Sequence, residues 1–412
     1  ALRQLQVFST RELANLAWAW SALRGGDVPL LEAIAEAAMP TLLPSTSGDL
    51  TIADVHDSIG VDGSEPQDLG RGEDLGRAAP SDSVAVAGPD LSGPKAILAL
   101  VEAFADEREL LRSPVLGAAE AALSRHAARL DAVWGPGPPS AREVRRSGDG
   151  EQEPRVLLER PHLRVLWKPP GWTVSVGNEG RRLPFEGPGT GLGYGGEMQR
   201  WLAERFGAAE PIVREESTEH GIAHRLDRET SGALLCARDF SGHFAARFAF
   251  AAGLVRKEYL CLCENHLPPA PTLFERPLLT LYRHGLKWRS IAAAEGRPAC
   301  TELRAAGHFR HPDGSFSLAA LRLHTGRLHQ IRVHLATAGH SLAGDAAYGQ
   351  GVRAWCPRIF LHASRLGIGL PDEPLVVQGP LPEDLAEALD ALVAVDARAL
   401  AQGVGSRGRQ AG

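Results

Sequence analysis

In GIAHRLDRETSGALLCA, residues 221–237, one carboxylate, Asp227, stands between Arg225 and Arg228 in a stretch that is otherwise small and apolar. A lone Arg-X-Asp-Arg on a surface is ordinarily a solvated ion pair worth well under ~1 kcal/mol. Here the run ALLCA follows at once, which puts the cluster at the mouth of a buried strand. A carboxylate in that setting can serve as nucleophile or base if it stays ionised. Partial burial disfavours the charged form, and a nearby guanidinium favours it. A second source of arginine is HTGRLHQIRVHLATAGH, 324–340. There Thr325-Gly326 turns the chain into a helix whose core face is Leu328, Ile331 and Leu335, and Arg332 can reach back toward a carboxylate. Taken alone, Arg332 reads as a surface helix charge, and spacing does not join it to Asp227.

These side chains need a frame. HRLDRETSG is rich in turn-formers and ends in glycine, so Asp227 projects from a structured loop at a sheet end, where functional groups are held rigidly. After residue 155, RVLLE, LRVLWK, GALLCARD, KEYLCLC and SFSLAALRL read as short strands, with helices near 197–206, 240–252 and 328–338. Strands and helices do not alternate regularly, which favours an α+β fold with a mixed sheet. Ahead of it, residues 1–44 read as a helical-repeat-like unit whose two helices fall within 8–44. Leu13, Leu16, Ala17, Trp20 and Leu23 line one face, Ser9 or Thr10 caps the start with Glu12 or Glu32 in an early turn, Gly25-Gly26 is the stop, Pro29 opens the second helix and Pro40 closes it. Residues 45–94 are a Gly/Ser/Asp/Pro linker, 95–134 a second helical segment, and 135–154 a further linker and the best domain boundary. The catalytic region then spans 155–380, and 381–412 form a C-terminal helix and tail.

Several signals can be set aside. The 412 residues carry a formal net charge of −6, which gives no global sign of a nucleic-acid partner, although a local basic groove is compatible with it. No run approaches the ~18 apolar residues of a membrane span. Five cysteines, an odd number without CxxC spacing, read as reduced core thiols of an intracellular protein. The chain starts ALRQLQVFST without Met, so its amino terminus is read as incomplete and its compartment, organelle or cytoplasm or nucleus, stays open. GLGYGG, 191–196, satisfies GxGxxG but follows a proline-broken loop and not a strand. His329 and His334 are five apart, lack the HExxH glutamate, and diverge on a helix, so no metal site is expected.

HRLDRETSGALLCARD closely resembles the catalytic motif of the RluA-type pseudouridine synthases. VLWKPPGWTV (165–174), VRKEYLCLC (255–263), LHTGRLHQIRVHLATAGHSLAGDAAYG (323–349) and IFLHASRLGI (359–368) also match, each in that family's order. The resemblance implies the mixed, largely antiparallel pseudouridine synthase sheet with flanking helices. By position it implies that Asp227 is the catalytic aspartate, Tyr259 the tyrosine that stacks on uracil and takes part in removing the C5 proton, and Arg332 the basic partner of the aspartate. Arg225 matches the arginine that enters the base stack when uridine flips out. Within the same motif His224, Leu226, Thr230 and Gly232 are expected on the substrate side, Lys168 and Pro169 match a structural motif, and Arg228 inherits no role and is expected to be solvated. Leu328 stands where the family commonly has Thr, TVSV where it has His-Pro, and 177–196 is a glycine-rich insertion. The implied chemistry uses no cofactor and no metal. The implied partner is a structured RNA, ribosomal or transfer, bound by a monomer away from membranes. The rival reading is an inactive RNA-binding scaffold on the same fold. A carboxylate-dependent glycosidase would need Glu229 as a second acid. ELANLAWAWSAL…PLLEAIAEAA resembles an octotricopeptide-type helical repeat, a class associated with organellar RNA binding, with Trp18 and Trp20 serving packing more than base stacking.

Overall fold

The computed structural model describes residues 8–22, 28–43, 93–105, 113–134, 152–174, 197–283, 286–369 and 374–395. GLGYGG, Gly25-Gly26, nearly all of the first linker and most of the second lie outside them, and so do the side chains of Trp18 and Trp20. Two compact units divide the chain at Leu130/Asp131, a few residues ahead of the stretch 135–154.

The first unit carries α1 (Thr10–Ala22), α2 (Val28–Leu42), α3 (Pro94–Ala105) and most of α4 (Pro114–Trp134). α1 opens with a capping box. Ser9 Oγ accepts the Glu12 N–H at 3.3 Å while the Glu12 carboxylate accepts the Ser9 N–H at 2.7 Å, so two orphan donors of the first turn are satisfied at once. Leu13, Ala14 and Ala17 of α1 are buried with Leu31, Ile34 and Ala38 of α2 and Leu100 and Phe104 of α3. Pro40 does not close α2, which runs through it to Leu42. A proline near a C-terminus costs one backbone bond, and the burial of Leu42 at 1% exposure outweighs it.

The second unit is an α+β fold. Its main sheet has the order β1 (Arg155–Glu159), β2 (Leu163–Lys168), β3 (Ser231–Ala237), β10 (Leu361–Ile368), β4 (Val255–Glu264), β9 (Gly314–Leu323), β8 (Thr301–His311) and β12 (Val393–Ala394), with β5 (Thr272–Phe274) on β8 and β11 (Leu375–Gln378) on β10. β3 and β10 are parallel and the other pairs antiparallel. A separate hairpin joins β6 (Leu278–Arg283) to β7 (Leu286–Ala292). The helices α5 (Met198–Phe206), α6 (Phe240–Ala251), α7 (Gln330–Thr337) and α8 (Glu383–Asp390) flank the sheet. Every residue of β2 and β3 is buried, as their apolar runs require. β8 instead alternates along TELRAAGHFRH, with small and polar residues in the pattern, and carries no strong hydrophobic signature. Leu262, Phe309, Phe316, Leu318 and Phe360 form a core cluster completed by Leu385 and Ala388 of α8. The N-terminus of α6 is capped twice. Asp239 accepts from Gly242 N–H at 2.8 Å, and Asp131 accepts from the N–H groups of Phe240 at 2.9 Å and Ser241 at 3.1 Å.

Desolvation keeps the rings of His224, half-buried, and of His243 and His362, both buried, in the neutral form. Burial drives His224 and His243 down to about 3 and His362 to about 4, from an ordinary 6.5. Between those values and 6.5 the unfolded chain binds protons that the native protein does not, so stability rises with pH across that window and is lost as pH falls through it. Every tenfold loss of proton affinity on folding corresponds to about 1.4 kcal/mol. Denaturant midpoints are therefore expected to fall steadily from pH 7 to pH 4, and His362→Gln is expected to flatten that slope; an unchanged midpoint over the range would contradict the burial of neutral rings.

Candidate active site

The loop 224–230 that carries Asp227 is held by cations that grip its backbone from two sides. At the end of β2, Lys168 is fully buried, and its Nζ donates to the carbonyls of Pro169 (2.8 Å), Trp172 (2.9 Å) and Arg228 (3.0 Å). Three acceptors match the three N–H bonds of an ammonium. Burial draws the Lys168 pKa down to about 7, with the charge of Glu229 pulling it back up. From the other side the fully buried Arg358 donates to the Glu229 carbonyl at 3.1 Å and to Ser231 Oγ at 3.3 Å, while its remaining edge pairs with Asp384 of α8. The Thr230 N–H closes a turn onto the Asp227 carbonyl at 3.0 Å. β3 then starts through Gly232 at φ +133°, against β10, where an added Cβ would run into the carbonyl of Ala363. Only glycine meets both demands. With its backbone fixed, the loop presents the Asp227 side chain at 20% exposure.

What faces that carboxylate comes from α7 and the residue just ahead of it. Arg332 Nη1 lies 3.6 Å from Asp227 Oδ2, and His329 Nε2 lies 4.0 Å from the same oxygen. Arg332 is aimed by a stronger bond on its other edge: Nε and Nη2 each donate at 2.8 Å to the fully buried carboxylate of Asp345. Asp345 in turn accepts the N–H groups of Ala347 (2.9 Å) and Tyr348 (3.1 Å), and the Arg332 guanidinium sits 5.0 Å over the Tyr348 ring. Burial opposes the Arg332 charge, but the bonds and charge of Asp345, with Asp227 behind it, hold its pKa above the ordinary value. Tyr259 of β4 is buried at 7% exposure, and its hydroxyl pKa is pushed up by burial and then by the charge of Asp227. A fixed anion, a pre-aimed cation and an aromatic ring thus converge at one sheet end. That arrangement suits attack on, or proton removal from, an electron-poor carbon of a bound ring.

The structure brings Asp227, Tyr259 and Arg332 together although they lie far apart in the chain. Arg225 is half-buried on the same loop, and its charge reaches His329. The other motif positions frame the loop. His224 Nε2 accepts the Leu235 N–H at 3.0 Å and its ring packs on Phe250; Leu226 and Thr230 are buried at 4% and 2% exposure. These residues hold the loop in place, and Gly232 serves the β3–β10 contact. Arg228 is no free surface charge either, since its Nε donates to the Gly171 carbonyl at 3.1 Å. Glu229 lies beside Arg228, at 3.8 Å. Leu328 is not on α7: His329, in the left-handed region at φ 52°, precedes the first helical residue Gln330, so Ile331, Val333 and Leu335 are the buried apolar residues of the helix. His334 faces away, bonded to Thr301 Oγ1 and the Arg276 carbonyl. Sequence reasoning missed Asp345, Tyr348 and Arg358. The first two sit in GDAAYG, where an acid following a glycine turn was a usable signal; Arg358 carried none.

The model of the RNA pseudouridylate synthase family matches residues 162–337. An uncharacterized RNA pseudouridine synthase of Zymomonas mobilis is 38% identical over 233 residues, which cover 56% of this chain and 94% of that one. The ribosomal large subunit pseudouridine synthase D of Nitrosomonas europaea is 30% identical over 249 residues, 58% of this chain but 65% of that protein. The solved structure of human RNA pseudouridylate synthase domain containing 1 superposes with a TM-score of 0.44 at 23% identity, over 60% of this chain and 90% of that one.

Proposed function

Because this chain belongs to the RNA pseudouridine synthase family, a family of isomerases acting on uridine in RNA, we propose that Asp227 is the carboxylate that acts at C1′ of the target uridine. The observation that carries this reading is the pairing of a fixed, partly exposed Asp227 with a guanidinium already anchored on Asp345. The reaction breaks the N1–C1′ bond, turns the base, joins C5 to C1′ and releases the C5 proton while N1 gains one. A stacked base cannot reach a loop carboxylate, so the nucleotide must be flipped out, at a cost of a few kcal/mol. Arg225 fills the vacated gap and offsets part of that cost. Tyr259 supplies an aromatic face worth ~1–3 kcal/mol per stacked base, and burial beside the Asp227 charge raises its hydroxyl pKa.

The substrate we propose is a uridine in a structured ribosomal or transfer RNA; the relative from Nitrosomonas is named for the large ribosomal subunit. The deciding experiment incubates the protein with RNA tritiated at uridine C5. Release of tritium together with pseudouridine in the digest is expected, and binding without release would leave only a scaffold. Comparing uridine modification across all transcripts with and without the protein then finds the target.

The helices of the first unit, with their octotricopeptide-like pattern, are proposed to add RNA contacts. Removing residues 1–130 is expected to raise the RNA concentration needed for half-maximal rate and to leave the rate at saturating RNA unchanged. A lowered saturating rate would count against that division of labour.

A further inference from the structure

His329 has no part in the reaction as proposed above, yet it is set beside Asp227 with unusual care. It adopts the left-handed region at φ 52°, a conformation that costs most side chains energy. The ring is held edge-to-face on Tyr348, with centroids 5.6 Å apart, and is 17% exposed. Burial lowers its pKa, so the ring is neutral and carries a single N–H.

Which nitrogen bears that hydrogen follows from its neighbours. The Tyr348 hydroxyl accepts the Ser290 N–H at 3.0 Å and lies 3.0 Å from the Ser290 carbonyl and 3.0 Å from His329 Nδ1. Ser290 is fully buried on β7, and both of its backbone groups end on this hydroxyl. A hydroxyl has one hydrogen to give. Given to the carbonyl, it leaves the Ser290 backbone and the ring satisfied provided His329 Nδ1–H donates to the hydroxyl oxygen, which the Arg289 side chain also approaches. Given to Nδ1, it would strand a buried carbonyl, which is costly. The first arrangement makes Nε2 a bare lone pair. Nε2 is also the nitrogen that faces Asp227 Oδ2, at 4.0 Å, too far for a hydrogen bond between them. An acceptor is therefore directed toward Asp227 without a hydrogen bond of its own to that carboxylate.

We propose that His329 Nε2 accepts the 2′-hydroxyl of the target nucleotide and so reads ribose at the position being modified. The inference rests on the reading of Asp227 as the group at C1′: C2′ is bonded to C1′, so its hydroxyl is the nucleotide donor nearest that carboxylate. The same bond draws the hydroxyl off Asp227, which would otherwise be solvated by it, and leaves Oδ1 for the reacting carbon, since Arg332 and His329 both approach Oδ2. A 2′-hydroxyl is also the feature by which a protein tells RNA from DNA at one position.

Two measurements test it. Nitrogen NMR of histidine-labelled full-length protein, with the His329 signal assigned by its loss in His329→Asn, is expected to show Nδ1 protonated and Nε2 bare. A protonated Nε2 overturns the proposal. Asparagine suits the left-handed backbone but is too short to reach the site, so the fold is kept. Next, a short single-stranded RNA with one uridine is compared with the same RNA carrying 2′-deoxyuridine there. Wild-type protein is expected to prefer the ribose form by roughly 3- to 10-fold, the net worth of one hydrogen bond, and His329→Asn is expected to lose that preference while binding the deoxy form as wild type does. Full preference retained in His329→Asn, or none in wild type, overturns it. Tyr348→Phe, which frees Nδ1 of its partner, is expected to blunt the preference. Failure of the Asp227 reading would be seen separately, as tritium release that survives Asp227→Asn, with the tautomer and the ribose preference unaffected.

Discussion

Asp227→Asn protein is expected to release no tritium from RNA labelled at uridine C5 while still binding that RNA. An amide can neither attack C1′ nor take the 2′ proton, so both conceivable routes end together, and losing such a group costs on the order of 10⁴-fold or more in rate. The fold does not depend on the charge. Asp227 is partly exposed, its backbone is gripped by Thr230, and Arg332 keeps its closer bonds to Asp345. A change in stability within about 1 kcal/mol is expected. Wild-type tritium release from the variant would sink the mechanism, and parallel loss of RNA affinity would mean that Asp227 is a binding group instead.

The second large effect concerns Arg332→Leu, expected to abolish the same activity and also to destabilise the protein by about 3–5 kcal/mol. The stability cost does not come from Asp227. It comes from Asp345, whose fully buried charge would keep, among the described residues, hydrogen bonds from the N–H groups of Ala347 and Tyr348; removing one partner of a buried ion pair costs that much because the other stays uncompensated. Replacing both, as Arg332→Leu with Asp345→Leu, removes the stranded charge and is expected to recover much of the stability and none of the activity. Denaturant unfolding and tritium release on the three proteins separate the two roles of one guanidinium. A double variant as unstable as Arg332→Leu alone would contradict the argument, and so would an active double variant.

Local patterns were legible because local physics makes them. The apolar runs of β2, β3 and β4 and the helical spacing of α5 and α6 appear in the sequence as they stand in the fold. β8 and the β6–β7 hairpin did not, since small and charged residues interrupt their alternation and only pairing with neighbouring strands supplies their stability. The family resemblance named the candidates Asp227, Tyr259 and Arg332, and the fold places them near one another. His224 and Arg228 show the limit of reading a motif as a list of contacts, since both are spent on holding the loop.

The sequence by itself determined the chemical kinds available: a carboxylate ahead of a buried strand, a tyrosine within another, and an arginine on a helix behind a glycine turn. The tertiary structure decided the partners. It set Asp345, and not Asp227, as the main anchor of Arg332, used Lys168 and Arg358 to fix the loop, and turned His329 from a discarded metal ligand into a neighbour of the carboxylate. The reason is physical. Periodicity reports which face of an element avoids water. Which charges meet depends on strand order, where β10 enters between β3 and β4, and on buried hydrogen bonds that close only once those strands have paired.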